Sequence, residues 1–200
     1  VRAMAYKDGM APTNIDTHTF IFPETVREQT SLPFDYPPAP SLETGGGGAT
    51  LAPRADLDMQ IDPDIVSSAN NDLFVRGLLS IPTLSLVADA DELFHPARGL
   101  YFDRFPPTRA ASVELLYPLQ PRFAGFAGFQ VDCAVKAHSK IDGIQKRSFR
   151  LVFSKDFGPG KLRYPLFESA VHHADSAVRE FDTIVLRAGG QANWSKDDAP

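Results

Sequence analysis

The chain has little cysteine, little tryptophan and no long apolar run, and each shortage excludes a class of protein. Cys133 is the single cysteine among 200 residues, so no internal disulfide can form and the redox compartment stays open. No stretch of about 18 consecutive apolar residues is present, so no membrane span is predicted. The opening residues Val1 to Tyr6 are neither basic nor an apolar signal core.

The chain has fewer basic than acidic residues, and its formal net charge is −5. Broad nucleic-acid binding needs many Lys and Arg side chains to displace counterions from phosphates, so no nucleic-acid partner is predicted. The charges are not evenly distributed along the chain. Residues 136–163 carry eight Lys or Arg against two Asp, a local balance of +6. This stretch is either a sheet face that attracts phosphate or a solvated face.

Several catalytic motifs are missing or incomplete. No Gly-x-Ser-x-Gly elbow is present, and Gly158–Lys161 misses the Walker spacing, with Leu162 where Ser or Thr is required. Asp156–Gly158 matches the magnesium triplet of protein kinases, but no His-Arg-Asp loop precedes it, so a polar turn is predicted there. The adjacent His172 and His173 lack a metal-ligand spacing. We therefore predict no metal site.

What the chain does have is enough apolar material for a core, with 43% hydrophobic residues and 15 Phe. Residues 1–8 and 17–22 have the composition of two strands, and the Pro- and Gly-rich stretch 31–55 that follows them is typical of a linker. A short helix is predicted at 72–79. Five strands are predicted beyond it, at 83–87, 112–117, 128–136, 147–153 and 182–187. Such a series predicts an α+β fold dominated by an antiparallel sheet.

Three local patterns within these strands carry further predictions. Cys133 lies among Val131, Ala134 and Val135, which predicts a buried thiol. The glycines of Phe123–Phe129 predict a hairpin tip. Side chains alternate along 146–153, with one face apolar and the other largely polar; the apolar set is Phe149, Leu151 and Phe153, and the opposite set is Lys146, Ser148, Arg150 and Val152.

A series of short blocks resembles the CotH kinase family. The C-terminal blocks are Lys146–Phe153, Phe157–Leu162, Tyr164–Phe167 and Phe181–Gly190, and the preceding ones are Ile81–Val87, Asp91–Phe94, Ala111–Leu115 and Gly128–Val131. The resemblance covers roughly residues 56 to 195. It implies the N-terminal part of an atypical, secreted protein-kinase-like domain that uses ATP and Mg to phosphorylate a coat or envelope protein. The implied location is extracellular or in the cell envelope.

The resemblance also implies roles for individual residues. The family's lysine before a Ser-Phe pair falls on Lys146, which would neutralise nucleotide phosphates, and Arg150 on the same face is a second candidate. The alternative for Lys146 is a solvated strand start. The loop at 136–143 is shorter and poorer in glycine than the Gly-rich turn of the family, which argues against phosphate binding by that loop. The family's catalytic and metal-binding acidic residues lie downstream of the Arg187–Gly189 block, so the catalytic residues here are unknown.

The resulting interpretation is a piece of a longer protein that has no turnover of its own. Arg2–Gly9 with Thr17–Phe22 is similar to the end of a chitobiase-type β-sandwich. The predicted organisation is therefore remnant sandwich strands at 1–30, a linker at 31–55 and a truncated kinase-like domain at 56–200. The competing hypothesis is a non-catalytic cell-envelope or carbohydrate-associated binding module. Neither hypothesis predicts an oligomeric state.

Overall fold

The computed structural model describes residues 1–29, 61, 63, 71–95, 98–101, 107–138, 148–167 and 177–188. The predicted linker 31–55, Lys146 and the His172-His173 pair lie outside these ranges. The described residues form two compact units. The first unit holds those within 1–32, 59–87 and 112–131, and the second holds those within 88–111 and 132–200.

Strands outnumber helices along the described chain. The helices are α1 (Pro23–Arg27), α2 (Asn71–Leu78) and α3 (Ala90–Phe94), with a 3₁₀ turn at Pro121–Phe123. The strands are β1 (Arg2–Ala3), β2 (Asp16–Thr17), β3 (Thr83–Ala88), β4 (Arg109–Leu116), β5 (Phe129–Ala137), β6 (Phe149–Val152), β7 (Leu162–Arg163), β8 (Glu180–Phe181) and β9 (Thr183–Leu186).

The main sheet has five strands in the order β3-β4-β5-β6-β9. The β5–β6 and β6–β9 pairs are antiparallel, and their registers set Arg150 opposite both Lys136 and Val185. The prediction of an α+β chain dominated by an antiparallel sheet is confirmed at this level. Each of the five predicted strands overlaps one strand of this sheet, within three residues at either end.

The core of the second unit lies against one face of β5 and β6. Cys133, Val135, Leu151 and Phe153 are each at most 3% exposed, and alternation along the strands puts them on the same side of the sheet. Burying a side chain of this size stabilises the fold by about 1.5–3 kcal/mol relative to leaving it in water. The predicted apolar face of 146–153 is thus confirmed for its described residues, and so is the buried Cys133.

In the first unit, the N-terminal residues form a short hairpin. β1 and β2 pair antiparallel, with Arg2 opposite Thr17. Gly9 turns the chain with a φ of 78°, a conformation that glycine adopts without a Cβ penalty. The predicted strands are much longer than the observed two-residue pair. Further along the hairpin the chain bonds across without a regular backbone ladder: the Thr13 N–H donates to the Ala5 carbonyl at 3.1 Å, whereas the Ala5 N–H donates to the Thr13 hydroxyl at 2.9 Å.

The helices differ in how well the sequence predicts them. The predicted helix at 72–79 is α2, whereas α3 was not predicted. The Asp89 carboxylate begins α3 by accepting from the N–H groups of Asp91 and Glu92 at 2.9 and 3.2 Å, which is the usual N-cap bond. None of the helices in the described ranges is long and apolar enough to cross a membrane.

Two predicted turns contain glycines at positions that disfavour a side chain. Gly125 has a φ of 86° at the tip of the β4–β5 connection, which confirms the predicted hairpin tip. Asp156–Gly158 forms a turn in which the Phe157 and Gly158 N–H groups both bond the Ser154 carbonyl. A Cβ on Gly158 would lie 2.3 Å from the Asp132 carbonyl oxygen. The triplet therefore forms the predicted turn, and its close packing against Asp132 explains why glycine occupies position 158.

Candidate functional site

Of the two residues predicted to contact nucleotide phosphates, the structure describes only one. Lys146 lies outside the described residues, so its position stays a prediction. Arg150 lies in the middle of β6, half-buried, with Lys136 of β5 directly opposite on one side and Val185 of β9 on the other. Residues directly opposite in an antiparallel sheet point to the same face. Arg150 and Lys136 therefore share a face, which is the side opposite Leu151.

Two more basic side chains extend this cluster. His138 follows β5, and its N–H donates to the Ser148 carbonyl at 2.9 Å, which continues the β5–β6 ladder. Arg187 follows β9, and alternation puts it on the face that Val185 occupies. The Ala188 N–H donates to the Ser148 hydroxyl at 3.0 Å, which ties this end of β9 to β6. We call Lys136, His138, Arg150 and Arg187 the basic face.

Arg150 is only partly satisfied within this face. One terminal nitrogen, Nη2, lies 3.1 Å from Nδ1 of His138. Because a guanidinium only donates, Nδ1 accepts this bond, and the ring carries no proton on that nitrogen. The Arg150 Nε is buried and has no hydrogen-bond partner among the described residues. A buried donor without a partner costs about 1–3 kcal/mol. The residue is thus held at one end and unsatisfied at the other.

The electrostatics of the basic face are unfavourable in the absence of an anion. Lys136 and Arg150 are like charges in directly opposite positions, which destabilises a sheet. Within the described ranges, no ion pair joins Lys136, Arg150 or Arg187 to an acidic side chain. Other cations of the same unit do have such partners, as Lys161 has Asp182 at 3.3 Å and Arg163 has Glu180 at 3.0 Å. A bound anion would relieve the repulsion.

This arrangement can bind phosphate but has no described means of holding a metal. Guanidinium and ammonium groups supply charge-assisted hydrogen bonds to phosphate oxygens. Among the residues that the structure describes, no group of three His, Cys, Asp or Glu side chains could hold a metal ion. Asp91 instead bonds Arg98, and Glu92 lies 3.7 Å from Arg109. The basic face thus offers donors to phosphate oxygens and has no carboxylate for a magnesium ion among its four residues, so we derive no step through the metal.

Cys133 is close in sequence to the basic face but plays no part in its chemistry. The thiol is 0% exposed on the opposite side of β5 from Lys136. Burial and, to a smaller extent, the charge of the Asp132 carboxylate raise the pKa of this thiol from 9.0 to about 12. A thiol with this pKa stays protonated near neutral pH and is a poor nucleophile. Cys133 is therefore a packing residue.

Sequence reasoning found Arg150 but missed the rest of the basic face. Lys136 was counted only within a basic stretch, and Arg187 only within a family block. Their association depends on the strand register, which pairs position 136 with 150 and position 150 with 185. Alternation within each strand was available as a signal. Nothing in the sequence states how far one strand is shifted against the next.

Comparison with known proteins adds no relative from which a site can be carried over. The chain matches no protein-family model, and neither the curated proteins nor the solved structures contain a match. The CotH kinase resemblance thus rests on the sequence blocks alone.

Proposed function

We propose that the basic face binds the phosphates of a nucleotide, and that the chain is the nucleotide-binding part of a CotH-like protein kinase. The single observation that supports this is Arg150, half-buried directly opposite the like charge of Lys136, with no acidic partner for either side chain among the described residues. Such a protein would transfer phosphate from ATP to a protein of the coat or envelope, outside the cell or in its envelope. The chain by itself is proposed to bind nucleotide without turnover.

The chemistry assigned to the basic face is electrostatic. Phosphoryl transfer spreads negative charge over the oxygens of the transferring group, and fixed positive charges stabilise it. Arg150 is held by His138 and by the strands on both sides, so it keeps its direction when a ligand arrives. Lys136 and Arg187 add charge on the same face. Lys146, from the sequence, is proposed to join them from the segment that precedes β6.

Calorimetric titration with ATP and magnesium tests this proposal on the 200-residue chain. We expect saturable binding by the wild type and at least tenfold weaker binding by Arg150→Met, because Met keeps much of the length of the side chain without its charge or donors. Lys146→Ala should weaken binding as well. Arg163→Met is the matched control, since Arg163 is an exposed arginine of the same unit already paired with Glu180.

Each outcome of this titration has a defined meaning. Binding that is equal in the wild type and in Arg150→Met would contradict the role of the basic face. Absence of binding by the wild type would contradict the nucleotide-binding proposal itself. Transfer of the γ-phosphate to an acceptor protein by the chain alone would contradict the proposed lack of turnover.

A second candidate, carbohydrate binding, is favoured by one observation in the first unit. A shallow cavity of about 340 Å³ lies at the β4–β5 hairpin. Its lining combines a carboxylate, an amide and aromatic rings, from Glu114, Gln130, Tyr117, Phe126 and Phe129. Phe126 is 51% exposed. An exposed ring beside planar polar groups suits the apolar and hydroxyl-bearing faces of a sugar.

A glycan array separates the second candidate from the first. Retention on a glycan that is lost in Phe126→Ala, without nucleotide binding in the titration above, would support a carbohydrate-associated module. Phe167→Ala is the matched control, because Phe167 is a similarly exposed ring, 53% accessible, in the second unit. Failure to retain any glycan would remove this candidate.

A further inference from the structure

A second cationic cavity lies in the first unit and belongs to neither site described above. It has a volume of about 460 Å³ and is lined by the end of α2 and by the start of the 3₁₀ turn. The lining residues are Arg76, Leu79, Ser80, Gln120, Pro121 and Arg122. Two arginines thus line one cavity, and no acidic residue is among its lining residues. This is the electrostatic environment of an anion site.

Arg122 is fixed in this cavity by contacts that leave part of its guanidinium available. Its Nη2 donates to the Leu79 carbonyl at 3.2 Å, and its guanidinium carbon lies 4.8 Å from the centre of the Phe123 ring. The first contact bridges the end of α2 and the 3₁₀ turn. A guanidinium has five N–H donors, so one backbone bond leaves four for a ligand. The cost of ordering this side chain is therefore already met in the free protein.

Arg76 contributes the second charge from the last turn of α2. A cation at this place also interacts favourably with the helix dipole, and that effect requires no ligand. The dipole does not explain why Arg122 is held at the same cavity. Asp72, one turn earlier on α2, forms no ion pair with Arg76 among the described residues. Gln120 adds an uncharged polar residue to the lining.

We propose that this cavity binds the phosphate group of a small molecule or a modified side chain. Two planar guanidinium groups and an amide offer donors to several oxygens at once, which suits the three terminal oxygens of a phosphate monoester. The volume lies within the range of small-ligand sites. This proposal goes beyond nucleotide binding and does not depend on it, because every lining residue belongs to the first unit.

The test uses the full 200-residue chain with Arg150→Met as the background, so that the basic face contributes at least tenfold less binding. Calorimetric titration with inorganic phosphate at constant ionic strength should show saturable binding. Arg76→Gln in that background should weaken it at least tenfold. Arg27→Gln is the matched control, because Arg27 belongs to the same unit and pairs with Glu24 at 2.9 Å. Phosphoserine and glucose 6-phosphate then distinguish a modified side chain from a small molecule.

Arg122 needs a more conservative variant, because its removal also takes a bond from the Leu79 carbonyl. Arg122→Lys keeps the charge and loses the planar fork, so we expect at least a fivefold loss of phosphate affinity with an unchanged melting temperature. Phosphate binding that is absent in the background protein, or unchanged by Arg76→Gln, would overturn the proposal. Equal binding of acetate would overturn the preference for phosphate.

Discussion

Glu114 in the first unit and Arg150 in the second are both charged side chains of the main sheet, but the Glu114 carboxylate has a hydrogen-bond partner and Arg150 keeps one buried donor without a described partner. In the first unit, Glu114 accepts from the Thr19 N–H at 2.7 Å, and the Thr19 hydroxyl lies 2.7 Å from that of Ser85. Gln130 donates to Ser112 at 2.8 Å. In the second unit, Arg150 faces Lys136 and keeps a buried Nε without a described partner.

The difference separates a structural role from a binding role. A buried polar group with its partners stabilises the fold, whereas one without them reduces stability. Glu114 and Arg150 are both charged and both half-buried, so charge and burial alone do not distinguish them. Their partners do. The following predictions test this distinction, beginning with the largest expected effect.

The apolar side of the sheet in the second unit should strongly disfavour an ionised side chain. The native pKa of Cys133 is raised to about 12 from 9.0, so the unfolded chain loses its thiol proton first as pH rises. The contribution of this thiol to stability is therefore complete below pH 9 and falls between pH 9 and 12. The loss relative to Cys133→Ala should be of the order of 4 kcal/mol across that range. Denaturant titrations of both proteins measure it, and parallel pH profiles would contradict it.

The satisfied network of the first unit should lose stability when it is cut. Glu114→Ala leaves the Thr19 N–H without its acceptor, so the free energy of unfolding should fall by about 1–3 kcal/mol. Glu114→Gln keeps an acceptor oxygen and should lose less. Urea denaturation of the two variants tests the order. Equal losses would show that the negative charge, and not the acceptor, is what matters.

The basic face should respond in the opposite way. Arg150→Met removes a like-charge pair and an unsatisfied donor, so stability without ligand should stay equal or rise by about 1 kcal/mol. Thermal and urea denaturation in a buffer without phosphate measure this change. A fall of more than about 1 kcal/mol would mean that Arg150 is a structural residue like Glu114.

Exposed ion pairs of the second unit should have the smallest effect. Arg163 and Glu180 pair at 3.0 Å with side chains that are 77% and 50% exposed. Solvent and salt screen such a pair, so Glu180→Gln should change the free energy of unfolding by less than about 0.5 kcal/mol. Urea denaturation at low and high salt tests it. A larger change would show that the β7–β8 pair depends on this contact.

The sequence predicted the strands of the main sheet better than the site they carry. Alternation and turn residues are local signals, and they located five strands and α2. The signals for α3 are also local, since Asp89 precedes acidic residues at a helix start. The same residues belong to a block of the family resemblance, and no helix was predicted for them. The two-residue strands β7 and β8 are too short for periodicity to show. The register of β5 against β6 is not a local signal, because it depends on the segment that joins the two strands.

The most direct test of the basic face is a titration of the wild-type chain and Arg150→Met with pyrophosphate at constant ionic strength. Calorimetry should show at least tenfold weaker binding by the variant, while its melting temperature without ligand is unchanged or higher. Equal affinities for the two proteins, or weaker binding accompanied by a loss of stability, would contradict the account.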